Sequence, residues 1–224
     1  MRLRTMALIP ARAGSERCPG KNKAPLDGKP LICWTIEAAQ LSAAFDNIVV
    51  STDDKDIAVI AMQRGCKVIE RPPELAQSDT EMLPVVKHAY PAFHPDLVML
   101  LQPTSPFRTA EDIRNAFEVH ASRNGDSVIS VTEAPKNDVF EIGHALRLHP
   151  ARHSVVVPNG AIYLMTGEHL LNKGDWYSGI TYAYQMPKER SLDIDTKMDL
   201  EYARLLVKGR AQNEDKLRYA SEIG

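Results

Sequence analysis

Two stretches far apart in the chain hold the residues best equipped for chemistry. The first is 8–22, LIPARAGSERCPGKN, where Arg12, Arg17, Lys21 and Asn22 share a loop with Ser15, Gly14 and Gly20. The short apolar run Met6-Ala7-Leu8-Ile9 leads into it and reads as a buried strand, which Pro10 ends. A strand that runs into a basic, glycine-containing loop brings backbone N–H groups and cations up to phosphates. Between Met1 and Pro30 stand Arg2, Arg4, Arg12, Arg17, Lys21, Lys23 and Lys29 against only Glu16 and Asp27, in a chain whose formal net charge is -2. A small polyanionic ligand accounts for that concentration; a solvated basic loop after an edge strand has the same composition. The loop is not the standard phosphate motif, because five residues separate Gly14 from Gly20 and Asn22 stands where a hydroxyl should bind Mg²⁺.

The second stretch is Ser191-Leu192-Asp193-Ile194-Asp195-Thr196. Asp193 and Asp195, at i and i+2 in an extended segment, point to the same side. Close to the basic loop they would repel one another unless a divalent cation lay beside them. Mg²⁺ suits one or two carboxylates completed by phosphate oxygens and water. Asp195 or Thr196 also suits the N-cap of a helix over 197–206, and one residue can serve both purposes.

Other chemistries find no support. His149 and His153 are four apart, but no H-E-x-x-H surrounds them. There is no G-x-S-x-G and no cysteine–histidine metal spacing. The near-neutral charge and the lack of a basic stripe interleaved with aromatics argue against nucleic acid. No run is long enough to span a membrane, and no signal peptide is recognisable. Cys18, Cys33 and Cys66 form no C-x-x-C pair, which fits reduced thiols in the cytoplasm. Cys18, inside the basic loop, suits a lowered pKa or a plain filler role.

These residues need a scaffold, and the hydrophobic pattern supplies one. Helices are expected from Pro30, taken as N1, to about Ala44, then over 55–64, 81–90 and after Thr109, whose hydroxyl pairs with Asp112 as a capping box. Strands are expected at 47–52, 67–70, 96–101, 127–131, 159–165 and 180–186. Thr52-Asp53-Asp54 follows a strand and lies either at the ligand edge of the sheet or, for Asp54, at a helix N-cap. The most apolar strand runs into Gln102-Pro103-Thr104-Ser105-Pro106-Phe107-Arg108, a loop stiffened by two prolines. The β-α alternation predicts an α/β fold with a doubly wound, mostly parallel sheet. Residues 133–158 break the alternation and read as antiparallel strands projecting from the sheet, with Val155-Val156-Val157 among them and dimerisation as their use. The division expected is a core of 1–132 and 159–210, an extension of 133–158 and a charged tail of 211–224.

Several motifs together resemble one family, the cytidylyltransferases that activate nine-carbon 2-keto sugar acids, the N-acylneuraminate enzymes among them. They are Ile9-Pro10-Ala11-Arg12 with Ser15 and Lys21-Asn22, then Leu100 to Arg108, then Pro158-Asn159-Gly160-Ala161-Ile162-Tyr163, then Asp193-Ile194-Asp195-Thr196. Arg71-Pro72 and Ser51-Thr52-Asp53 also fit. The resemblance implies a Rossmann-like nucleotidyltransferase core in a homodimer with swapped extensions. It implies CTP held by Arg12, Ser15, Lys21, Asn22 and Arg71. It implies a nonulosonic acid at Gln102, Asn159 and Tyr163, and Mg²⁺ on Asp193 and Asp195, with Arg12, Lys21 and the two aspartates as the catalytic set. The sequence departs from the family at Glu16-Arg17, where members carry Lys after Gly-Ser, and at Val157, where they carry Arg. The segment 133–158 is short, and only Lys136 or Arg152 could replace its basic clamp. A legionaminate or an eight-carbon octulosonate is therefore an alternative acceptor, and a nucleotide-binding regulator an alternative to an enzyme.

Overall fold

The computed structural model describes residues 2–134, 140–142, 148–150, 155–172 and 174–209. Its strands are β1 (Thr5–Pro10), β2 (Pro25–Leu26), β3 (Lys29–Pro30), β4 (Asn47–Thr52), β5 (Lys67–Glu70), β6 (Leu97–Leu100), β7 (Ser127–Glu133), β8 (Phe140–Ile142), β9 (Leu148–Pro150), β10 (Val156–Thr166) and β11 (Thr181–Gln185). Its helices are α1 (Leu31–Ser42), α2 (Lys55–Gln63), α3 (Met82–Phe93), α4 (Ala110–Arg123), α5 (Gly167–Asn172) and α6 (197–209).

A 7-stranded sheet with the order β11-β7-β10-β6-β1-β4-β5 forms the centre. β1 pairs in parallel with both β4 and β6, β4 with β5, and β11 with β7. β10 runs antiparallel to β6 and β7, because it returns directly from β7 instead of crossing over through a helix. Along β1 the side chains alternate between two cores. Ala7 and Ile9 pack with Ile32, Ile36, Ile57 and Ile113 of α1, α2 and α4, whereas Met6 and Leu8 pack with Val86 and Ala89 of α3. The sheet is therefore covered on both faces, as its unbroken apolar strands require. A third cluster, with Cys18, Leu31, Phe107, Ile194 and Leu200 at its heart, lies beneath the basic loop.

Two details differ from expectation. Leu31 is the first helical residue of α1; Pro30 is extended and pairs with Pro25 in a two-residue hairpin closed by Asp27 and Gly28, both at positive φ. Val156 and Val157 pair with Glu133 and Thr132, so they form the outer end of a central-sheet strand and do not belong to a separate projection. Within 135–154, the antiparallel pair β8–β9 is what is described. Lys136, Arg152 and the tail 211–224 lie outside the described residues.

Candidate active site

The carboxyl ends of β1, β4 and β6 meet at one edge, on either side of the point where strand order reverses about β1, which is where open α/β sheets form ligand crevices. β10 enters the sheet from that edge, so its first residues join it. A cleft of about 330 Å³ lies there, and Arg12, Ser15, Lys21, Asn22, Arg71, Gln102, Asp193 and Asp195 all line it. The distant stretches 8–22 and 191–196 are joined by the Lys21 ammonium, which donates to the Ile194 carbonyl at 2.8 Å and the Asp195 carboxylate at 3.3 Å.

The basic loop is tied down at several points. Ala11 N–H donates to the Ser51 carbonyl at 2.9 Å, and Ala13 N–H to Asp53 Oδ1 at 2.8 Å. Gly20, at φ +69, turns the chain into a short 3-10 turn over Lys21–Lys23. Asn22 is buried and donates its amide to the Arg12 carbonyl at 3.1 Å, closing the loop on itself. Cys18 faces the third core, so it fills space. Asp54 is the N-cap of α2, accepting from the N–H groups of Asp56 and Ile57, and it also pairs with Lys23 at 2.8 Å.

Arg71, 2% exposed, donates Nη2 to the Ser51 carbonyl at 2.8 Å and Nε to Ser51 Oγ at 3.1 Å. Burial pushes its pKa down to about 10, with Arg12 acting in the same direction and Asp53 against it. It stays a cation at neutral pH, fixed in the cleft floor.

The acidic pair takes the expected alternation. Ile194 is fully buried in the third core and Asp193 and Asp195 face the cleft. Burial raises the Asp193 carboxyl above its ordinary range, with Asp195 adding to the rise and Thr104 and Lys21 opposing it. Its Oδ1 is buried without a hydrogen-bond partner among the described residues. A buried carboxylate oxygen left unpaired beside a second carboxylate is what a divalent cation would satisfy, so the donor set fits Mg²⁺ completed by phosphate oxygens. No cluster of three or more His, Cys, Asp or Glu suited to a metal occurs among the described residues, so such a site depends on its ligand. Helix α6 is capped by Thr196 with Asp199: the Asp199 carboxylate accepts from Thr196 N–H at 2.7 Å and the Thr196 hydroxyl accepts from Asp199 N–H at 3.2 Å. Asp195 is thereby left to the cleft.

The loop after β6 is bound from behind. Arg108, buried and pushed down to about 9 by desolvation, donates Nη1 to the Ala161 carbonyl at 2.9 Å and the Gln102 carbonyl at 3.3 Å. Ile194 N–H donates to the Thr104 carbonyl at 2.8 Å. Gly160 sits at φ +76 in the irregular part of β10, and a Cβ there would stand 3.2 Å from Gln102 Oε1 and 3.4 Å from Asp193 Oδ2. That single turn brings the amide of Gln102 and the carboxylate of Asp193 side by side.

Tyr163 and Asn159 lie elsewhere. Tyr163 lines an adjoining cavity of about 430 Å³ that shares Gln102 and Met82 with the first. Its ring lies 5.2 Å from that of Trp176, and burial pushes its hydroxyl up to about 12. Asn159 lines neither of these two cavities. It accepts from Ser130 Oγ at 2.6 Å and donates to Ser191 Oγ at 2.9 Å, bonds that shape the turn. Trp176 and Tyr177 escaped the sequence reading; the only signal was two adjacent aromatics in a polar stretch.

Comparison with known proteins agrees with this geometry. The family profile described as Cytidylyltransferase matches residues 6–222. A CMP-N,N'-diacetyllegionaminic acid synthase of Legionella pneumophila is 37% identical over 217 residues, covering 88% of this chain and 93% of that protein. An N-acylneuraminate cytidylyltransferase of Streptococcus agalactiae is 35% identical over 213 residues, covering 88% of this chain and 52% of that protein. The chain thus spans about half the length of the N-acylneuraminate relative. A CMP:2-keto-3-deoxy-manno-octonic acid synthetase solved with CTP shares the fold with a TM-score of 0.75 at 17% identity, over 92% of this chain and 99% of that one. By the profile match and by its aligned relatives, the chain belongs to the cytidylyltransferase family.

Proposed function

We propose that this protein transfers CMP from CTP to a nonulosonic acid and releases pyrophosphate. The observation that carries the reading is the pair of adjoining cavities. One has four cations, Arg12, Arg17, Lys21 and Arg71, with the three carboxylates of Glu16, Asp193 and Asp195; the other has aromatic walls; Gln102 lines both. A triphosphate suits the first and a polyhydroxylated ring with an acyl substituent suits the second. The sugar's anomeric oxygen attacks the α-phosphorus. The new O–P bond forms as the bond from the α-phosphorus to the bridging oxygen breaks, and pyrophosphate leaves with the electron pair. The hydroxyl proton passes to solvent or to a carboxylate of the site.

No protein nucleophile is needed. Arg12 and Lys21 bind the phosphates and offset charge building on the leaving group. Asn22 holds the loop in shape for them, and Arg71 supplies a fixed charge in the floor. Gln102 orients the acceptor against the nucleotide, which supplies alignment. Asp193 and Asp195 would hold Mg²⁺, which, when bound, supplies neutralisation and polarisation of the phosphates. Three buried free thiols support a cytoplasmic setting, and the insertion between β7 and β10 supports a homodimer. No described helix is long and apolar enough to cross a membrane.

The test is pyrophosphate release from CTP and Mg²⁺ with N-acetylneuraminate, a legionaminate and the octulosonate in parallel. Release with a nine-carbon acid is expected. CTP binding without release for any acid would instead support a regulator, and preference for the octulosonate would shift the acceptor class.

A further inference from the structure

We propose that Arg17 is a catalytic residue: its guanidinium neutralises Asp195 in the empty cleft and passes to the triphosphate once that carboxylate is taken by the divalent cation. The inference rests on the function proposed above. Both oxygens of Asp195 are engaged by cations, Oδ2 by Arg17 Nη2 at 3.0 Å and Oδ1 by Lys21 Nζ at 3.3 Å. A divalent ion that binds Asp195 has to displace one of them. Lys21 is the fixed partner. Its side chain is 13% exposed and it also donates to the Ile194 carbonyl at 2.8 Å. Arg17 is the mobile one. Its side chain is 69% exposed, and it sits in the turn-rich stretch between Gly14 and Gly20. An exposed ion pair of this kind is weak, so its exchange costs little.

Where the guanidinium goes follows from charge. Beside a bound divalent cation it is repelled; beside phosphates bound in the same cleft it is attracted. Its planar fork matches two phosphate oxygens at once. The loop carries Glu16 immediately before it, so Arg17 is the cation its outer half offers to the cleft. Before ligand arrives, the same group relieves the repulsion between Asp193 and Asp195. One residue thus competes with the metal and assists the nucleotide. That arrangement makes metal and CTP binding mutually favourable, because the metal releases the guanidinium that CTP uses.

A merely structural Arg17 would not move the two affinities in opposite directions, which is what the experiment reads. Mn²⁺ binding to the nucleotide-free full chain is measured by electron paramagnetic resonance for wild type, Arg17→Met and Arg17→Lys. CTP binding with Mg²⁺ is measured by calorimetry, and pyrophosphate release is followed alongside. Arg17→Met is expected to bind Mn²⁺ roughly threefold to tenfold more tightly and CTP roughly tenfold or more weakly, with Arg17→Lys restoring part of the CTP affinity. Unchanged or weaker Mn²⁺ binding in Arg17→Met with turnover intact in wild type overturns the hand-over alone, as does unchanged CTP affinity. Wild type that fails to bind CTP overturns the proposed function and the hand-over with it.

Discussion

Asp193 is where stability and function pull against each other. Its carboxyl is raised mainly by burial, and one oxygen is unpartnered. A carboxyl whose folded pKa lies above its unfolded value favours folding below the unfolded value, and that advantage is lost as pH rises through the folded pKa. At neutral pH the ionised group is therefore a cost to the fold, one that the proposed cation site would account for. Asp193→Asn removes it. The variant is expected to melt about 2–4 °C above wild type at pH 7, the shift that about 1 kcal/mol gives in a domain of this size. The gap should close as pH falls below the raised Asp193 pKa. Turnover should drop by on the order of a hundredfold or more. Scanning calorimetry from pH 3 to pH 8 with parallel kinetics checks both; a variant less stable than wild type at pH 7 would show that the carboxylate is structurally paired after all. Wild-type turnover should fall on the acid side as Asp193 takes up its proton.

Helix α4 holds the opposite case, a buried carboxylate with every lone pair used. Asp112, fully buried, accepts from Arg190 Nε at 2.9 Å and Nη2 at 2.8 Å, from the Tyr184 hydroxyl at 2.8 Å, and from Thr109 N–H at 2.9 Å and its hydroxyl at 2.8 Å. These bonds lower its pKa against the desolvation that raises it. The knot fastens the start of α4 to the chain just before Ser191, the segment that presents the acidic pair. Asp112→Ala leaves Arg190 and the α4 cap without their partner and is expected to cost about 3–5 kcal/mol, read by urea denaturation. Thr109 with Asp112 was legible as a capping box because that signal is local. Arg190 and Tyr184, more than 70 residues away, were not, since their place beside Asp112 is fixed only once β11 pairs with β7. The start of α1 is a different case: Asp27-Gly28 is itself a local hairpin signal, and the hairpin holds Pro30 one residue ahead of the helix. The antiparallel course of β10 was hidden for a related reason, because an apolar strand buried on both faces reads alike in either direction.

Across the whole molecule, the strand order divides the labour. β1, β4 and β5 with the loops after them carry Arg12, Lys21, Asn22 and Arg71, whereas β10 and the 174–177 stretch carry Tyr163, Trp176 and Tyr177. β6 lies between the halves, and its Gln102 lines both cavities. The basic cleft was legible because its residues come as compact motifs at strand ends. The second cavity was legible only through Gln102 and Tyr163, since its other aromatics sit in a loop whose position depends on the packing of Trp176 against Tyr163. This division has a kinetic consequence. Tyr177, 62% exposed, can be truncated at little cost to the fold, so Tyr177→Ala is expected to raise KM for the sugar acid about tenfold, the scale of one lost aromatic contact, and leave KM for CTP within about twofold. Arg12→Ala is expected to do the reverse. Gln102→Ala, at the boundary, should lower kcat as well, because a misplaced acceptor loses alignment and not only affinity. Steady-state kinetics with each substrate varied in turn separates these outcomes. If Tyr177→Ala changed KM for CTP as strongly as KM for the sugar, the two cavities would be one site and the proposed partition along the sheet would be wrong.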